Sequence, residues 1–259
     1  MKKPLILVTN DDGIDSPGIR LLVEIMNEFG EVVVLAPDAP QSGMAHAVTV
    51  TESLRLSSNN LFEGITSYQC SGTPVDCVKL ARHHLLKDRV PDLVVSGINH
   101  GSNASISVLY SGTMSAALEA AINGIPAIGF SVCDHSQEAD LSHAIPVIRE
   151  IASGVLQHRL PYGVALNVNI PAANGKSLKG IRICRQTKAR WKENFDQQSA
   201  IEGELCFLLS GDLINLDEGT DHDVWAIDNN YVAVVPVQAD LTAYDLIEKL
   251  KIQFNGAGR

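Results

Sequence analysis

Paired cysteines, long apolar runs and a surplus of base are all missing from this 259-residue sequence. Its five cysteines, Cys70, Cys77, Cys133, Cys184 and Cys206, are scattered and odd in number, with no C-x-x-C. That argues against a disulfide framework and fits reduced thiols in a cytoplasmic protein. No apolar run approaches the ~18 residues of a membrane helix. The basic N-terminus "MKKPLILVTNDD" meets acid too soon to be a signal peptide. A cytoplasmic protein with no membrane partner is therefore expected. The formal net charge of −10 excludes general nucleic-acid binding, which needs a basic face. It leaves room for a small phosphorylated ligand, because a bound cation inverts the local field. Also absent are a Walker A loop, a G-x-G-x-x-G after the first strand, H-E-x-x-H and a serine-hydrolase elbow. What is present, 45% hydrophobic and 19% charged residues, is a globular composition with enough apolar mass for one large core.

The chain begins with α/β grammar. "PLILVT" reads as a strand buried on both faces. "SPGIRLLVEIMNEFG" reads as a helix, with Ser16 as N-cap, Pro17 at the first helical position and Gly30 at the end. Its apolar stripe is Ile19, Leu22, Val23, Ile25 and Met26. "EVVVLAP" completes a βαβ unit, which is right-handed and parallel. Residues 45–70 alternate in polarity and suggest short antiparallel strands at one edge. "SGTPVDCVKLARHHLL" is a helix capped by Thr73, with Asp76 in its first turn and the 83–84 histidine pair on its surface. "PDLVVSGINHG", "SGTMSAALEAAING", "IPAIGFSV", a helix at about 139–156 and "GVALNVNIP" continue the alternation.

After about residue 175 the grammar turns to β. "KGIRICRQ", "GELCFLLSG" and "DHDVWAIDNNYVAVVPV" read as strands and hairpins, with "DNNY" as a turn, and "LTAYDLIEKLKIQF" reads as a closing helix. The expected architecture is one α/β unit over 1–259. Residues 1–175 form a doubly wound, mostly parallel three-layer core. Residues 176–259 form a β-rich extension with a C-terminal helix. Extended hairpins with little core of their own suit subunit association, so a homo-oligomer is expected.

In an open parallel sheet, ligands bind beyond the carboxyl ends of the strands. Three polar loops fall there: "TNDDG", "APDAPQSG" and "SGINHGSN". Asp11 and Asp12 are adjacent carboxylates at the end of a buried strand. A hard divalent cation would relieve their repulsion, with Ser42 and Asn99 as further oxygen donors. Alone, either aspartate could equally cap a helix or a turn, and Ser42 and Asn99 carry little signal singly. "YSGTMS" at 110–115 leads into a helix and offers N–H groups and hydroxyls to an anion, or simple capping by Ser111 or Thr113. His100 lies in a rim loop where it could assist proton transfer, but as a lone histidine beside a glycine it reads better as a solvated residue.

These stretches resemble the survival protein SurE family of metal-dependent 5′-nucleotidases. The resemblance rests on "ILVTNDDGIDSPGI", "VVVLAPDAPQSG", "CSGTPVDCVKLA", "VVSGINHGSN" and "YSGTMSAALEA", in that order over roughly the first half of the chain. It implies a Rossmann-like fold whose C-terminal hairpin or tail is exchanged between subunits, giving homodimers or homotetramers. It implies hydrolysis of nucleoside 5′-monophosphates, with 3′-monophosphates and short polyphosphate as secondary substrates. It carries over one divalent cation per subunit, Mg²⁺ or Mn²⁺, on Asp11, Asp12, Ser42 and Asn99. The two aspartates are then the catalytic residues, and Asn10, Asn103, Ser111, Gly112 and Thr113 hold the phosphate. Three positions depart from the family pattern: Ser105 stands at a usual glycine, Ser107 at a usual aspartate and Met114 at a usual small aliphatic residue.

Rival readings are weaker. A phosphotransfer receiver needs an acid after its third parallel strand, where this chain has "SGINHG". A haloacid-dehalogenase-type phosphatase needs D-x-D, where this chain has Asp-Asp-Gly. A non-catalytic nucleotide or metal sensor would use the same ligands, and only the family resemblance separates it from an enzyme.

Overall fold

The computed structural model describes residues 3–136, 138–173, 175–201 and 204–255. Strand β1 (Leu5–Thr9) is buried along its whole length. Helix α1 (Pro17–Asn27) follows, with Ser16 at the N-cap position. Ser16 makes no capping bond; its Oγ instead accepts from Asn10 Nδ2 at 2.8 Å. Strand β2 (Glu31–Pro37) closes the βαβ unit, pairing parallel to β1 from Leu5↔Glu31.

The edge segment differs in part from its expectation. Strand β3 (Leu56–Asn59) runs antiparallel to β4 (Thr66–Cys70), but β4 itself lies parallel to β2, and residues 45–55 form no regular element. Helix α2 (Pro74–Leu80) starts with the anticipated capping box. Thr73 Oγ1 accepts from the Asp76 N–H, and the Asp76 carboxylate accepts from the Thr73 N–H. A π-helical turn, Ala81–Leu85, extends it, with His83 and His84 exposed.

Strand β5 (Leu93–His100) pairs parallel to β1 and carries a register irregularity between Ser96 and Asn99. Helix α3 (Gly112–Ile122), strand β6 (Ala127–Cys133), helix α4 (Ile145–His158) and strand β7 (Val164–Pro171) complete the parallel portion. Helix α4 starts six residues later than expected, because a 3₁₀ turn at Ser142–Ala144 precedes its Pro146.

Strand β8 (Ile181–Ile183) is short, and β9 (Ala189–Ile201) and β10 (Glu204–Asn215) form a separate antiparallel pair. The next segment corrects the sequence expectation of a hairpin. Asp223–Asp228 is helix α5, capped by His222, whose Nδ1 accepts from the Trp225 N–H at 3.1 Å. "DNNY" is this helix's exit, with Asn230 left-handed at φ 65°. Strand β11 (Val232–Gln238) then runs antiparallel to β7, and helix α6 (Tyr244–Asn255) closes the described chain.

The main sheet has nine strands in the order β3-β4-β2-β1-β5-β6-β7-β11-β8. One apolar cluster packs α1 and α4 against one face, and a second packs α2 and α3 against the other. This is a Rossmann-like three-layer α/β fold with a β-hairpin arm. Strands β11 and β8 lengthen the central sheet beyond β7, so only the hairpin and α6 project from it.

Candidate active site

The order of the central strands puts the chain reversal between β1 and β5, where α/β sheets open a crevice. The carboxyl ends of β1 and β5, the loop after β2 and the start of α3 all meet there. A cleft of about 620 Å³ is lined by Asp11, Asp12, Ser42, Asn99, His100, Asn103, Ser107, Tyr110 and Ser111. Its far wall is the hairpin: Trp191, Glu193, Leu209, Ser210 and Gly211.

Asp11 is 5% exposed. Burial is the main cause that raises its carboxyl from 3.8 to about 6; the Thr113 hydroxyl opposes this and the Asp12 charge adds to it. Thr113 Oγ1 donates to Asp11 Oδ1 at 2.5 Å. Helix α3 can come this close only because its first residue is Gly112. A Cβ there would lie 2.7 Å from Asp11 Cβ and 2.8 Å from Asp11 Oδ2. The glycine is thus a spacer for the carboxylate.

Asp12 faces the histidine. Its Oδ2 accepts from the His100 backbone N–H at 3.4 Å and lies 3.4 Å from His100 Nδ1. His100 is no solvated residue, since its side chain is 1% exposed and its buried Nε2 has no partner among the described residues. It ends β5 just beyond the strand's register irregularity, and strand alternation alone does not disclose its burial.

The Gln41 N–H donates to Asp11 O at 2.7 Å, which tethers the exposed Ser42 loop beside the aspartates. Asn99 Nδ2 donates to Gly101 O at 2.7 Å. That bond directs the amide proton away and leaves Oδ1 available as a ligand oxygen. The four positions therefore offer two carboxylates, a hydroxyl and an amide oxygen on one wall. Among the described residues there is no group of three or more His, Cys, Asp and Glu placed to hold a metal. A hard cation does not require one, because it takes carboxylate, hydroxyl, amide and water oxygens together. The donor set and the destabilised Asp11 carboxylate both fit such an ion.

The phosphate-side residues divide. Ser111 caps α3 by accepting from the Met114 N–H at 3.0 Å, and it lines the cleft. Gly112 and Thr113 stand in the first turn of α3, but their side positions serve Asp11. Asn10 is wholly buried; its Nδ2 donates to Gly13 O and Ser16 Oγ, both at 2.8 Å, so its amide braces the Asp-Asp loop. Asn103 reaches the cleft, yet its Nδ2 donates to Ser131 Oγ at 2.9 Å within a buried chain that includes Asn167 and Asn169.

Ser105 adopts φ 56°, the conformation for which glycine is suited. A left-handed non-glycine residue costs roughly 1–2 kcal/mol. Two buried bonds hold it there: its N–H donates to Asp223 Oδ2 at 2.8 Å and its Oγ to Thr187 O at 2.9 Å. Ser107 lines the cleft without a charge. Sequence reasoning did not find the hairpin wall. Alternation puts Trp191 and Glu193 on one face of β9, but which face turns toward the cleft is a tertiary matter.

The survival protein SurE family profile matches residues 6–193, most of the chain. The chain belongs to the SurE family. It is 60% identical over 250 residues to a Cytophaga hutchinsonii protein named 5′-nucleotidase SurE, covering 96% of each. A Flavobacterium psychrophilum protein of the same name is 55% identical, over 96% of this chain and 97% of that one. The crystal structure of the SurE protein from Aquifex aeolicus superposes with a TM-score of 0.82 at 36% identity, covering 96% and 99% of the two chains. The SurE profile ends within β9, so the cleft floor and the start of that strand, with Trp191 and Glu193, lie inside the matched span, and the rest of β9 and β10 lie outside it.

Proposed function

We propose that this chain is a divalent-cation-dependent 5′-nucleotidase that cleaves nucleoside 5′-monophosphates to nucleoside and phosphate. The names of its SurE relatives support the reaction class. The observation that carries the reading is the convergence of Asp11, Asp12, Ser42, Asn99 and Ser111 on one cleft at the carboxyl ends of parallel strands. Asp11, Asp12, Ser42 and Asn99 hold one Mg²⁺ or Mn²⁺ per subunit. When bound, the cation supplies positive charge against the phosphate and lowers the pKa of water.

The chain's own residues set the rest. The Thr113 hydroxyl and the close approach of Gly112 fix Asp11. His100 fixes Asp12 from its buried side. Ser111 and the free N–H groups of the first turn of α3 receive phosphate oxygens, favoured by the helix dipole. Asn10 and Asn103 belong to the same phosphate-holding set, and their amide bonds also brace the loops that carry it. Water is the simplest nucleophile; in the alternative, one of the two aspartates acts instead as base or nucleophile.

Activity on 3′-monophosphates and short polyphosphate belongs to the same proposal, as does a cytoplasmic location. No helix among the described residues is long and apolar enough to cross a membrane. The acidic surface suits small-molecule substrates and no nucleic-acid duplex. The chain acts as one unit over 1–259. The exposed Phe207, Leu208, Ile252 and Phe254 of the hairpin and α6 support a homodimer or homotetramer built through these arms.

The test is phosphate release from nucleoside monophosphates with EDTA, Mg²⁺ or Mn²⁺. Release with metal, lost in EDTA, is expected. A folded, metal-binding protein that releases no phosphate with either ion would replace the enzyme by a sensor.

A further inference from the structure

The two walls of the cleft differ in chemistry. One carries carboxylates, hydroxyls and amides, and suits the phosphoryl end of a substrate. The other carries an indole, a leucine and one carboxylate on the hairpin. In the register of that hairpin, Trp191 stands opposite Leu213, Glu193 opposite Gly211 and Phe195 opposite Leu209. Opposite residues of an antiparallel pair share a face, so Trp191, Glu193, Gly211 and Leu209 all lie on one face. Gly211 lets the two strands approach closely, since a Cβ there would lie 2.6 Å from Lys192 O, and the half-buried indole stands on the next rung of the same face. The cleft's 620 Å³ falls within the ~300–1,000 Å³ typical of small-molecule sites, enough for a ligand with a phosphate at one wall and a ring at the other.

We propose that the hairpin wall is a nucleobase subsite in which the base stacks on Trp191. The proposal rests on the nucleotidase reading and adds that recognition comes from the base. Stacking suits any base, because every base has a π face, and removing the aromatic partner costs tenfold or more. The Glu193 carboxylate beside the indole has no ion-pair partner among the described residues. It accepts hydrogen bonds from amino or ring N–H groups. The subsite therefore takes a neutral base.

The experiment compares adenosine 5′-monophosphate with ribose 5-phosphate, which has the same reacting ester and no base. Trp191→Ala is expected to lower kcat/KM at least tenfold on the nucleotide, chiefly through KM. It should leave ribose 5-phosphate within twofold of the parent, and Trp191→Phe should recover most of the loss. Equal losses on both substrates would overturn the proposal, because Trp191 would then only hold the hairpin; so would no loss on either. A parent protein inactive on both substrates would defeat the nucleotidase reading instead. The subsite is then decided by binding. The second tryptophan, Trp225, stacks on Tyr231 away from the cleft and is replaced by phenylalanine, leaving Trp191 as the sole indole emitter. Adenosine should quench that emission, and unchanged emission over a full titration would overturn the subsite.

Discussion

The cleft joins a floor that is locked to a wall that projects. On the floor, Asp11 is bonded to the start of α3, Asp12 to the end of β5 and Asn99 within its own turn, and the Asp11 and His100 side chains are almost wholly buried. On the wall, β9 and β10 bond chiefly to each other and expose Phe195, Leu205, Phe207 and Leu208. Reaction chemistry needs atoms fixed to a fraction of an ångström, and burial against a sheet provides that. Recognition of a base, or of another subunit, needs area and can be built on an arm. A two-stranded hairpin alone is marginal in water, so the arm's exposed apolar residues fit one that gains its support in an assembly.

The largest expected effect lies on the floor. Asp12→Asn should cost about 10²–10³-fold or more in kcat with melting temperature nearly unchanged, measured by phosphate release and thermal scanning. Near-normal turnover with saturating metal would remove Asp12 from the mechanism. Next comes the spacer. Gly112→Ala puts a methyl against the Asp11 carboxylate, and a displacement of that size costs about 10²-fold in rate. If Gly112→Ala is as active as the parent, the floor is softer than its packing implies.

A smaller effect concerns pH and separates stability from activity on the floor. The Asp11 carboxyl sits near 6 in the folded protein and near its ordinary 3.8 when unfolded. The folded state therefore keeps a proton that the unfolded state has released. Without metal, stability falls as pH rises from about 4 to about 6, by roughly 3 kcal/mol at most, and stays lower above that. Asp11→Asn cannot ionise. Its stability relative to the parent should rise across that same window while its activity vanishes, and Mg²⁺ should restore the parent alone. A constant difference across pH 4–8 in denaturant titrations would contradict this. On the arm, Leu208→Glu with Ile252→Glu should shift the assembly toward monomer in light-scattering chromatography, with kcat per subunit changed by less than about tenfold. An unchanged mass would locate association elsewhere.

The floor was more legible than the wall because its motifs are local. A fully apolar strand, then Asp-Asp-Gly, then Ser-Pro, describes strand, loop and helix start within fourteen residues. The α2 capping box was equally local. Helix α5 was misread because "DVWAID" has β-favouring side chains, and its helix depends on the buried contacts of His222 and Asp223 with Thr187. His100 was misread because its burial at the end of β5 depends on packing against neighbouring strands. Asn10 and Asn103 are assigned to phosphate by resemblance; in the structure Asn10 Nδ2 also donates to Gly13 O and Ser16 Oγ, and Asn103 Nδ2 to Ser131 Oγ.

The sequence by itself determined the alternation of buried strands and amphipathic helices, the three polar loops at the sheet's carboxyl edge and the oxygen-rich donor set, because periodicity and loop chemistry are read over a few residues. Only the tertiary structure decided that Gly112 spaces the Asp11 carboxylate, that His100 backs Asp12 and that Trp191 faces the cleft. Each of these is a contact between segments tens of residues apart, set by strand order and packing rather than by any local pattern.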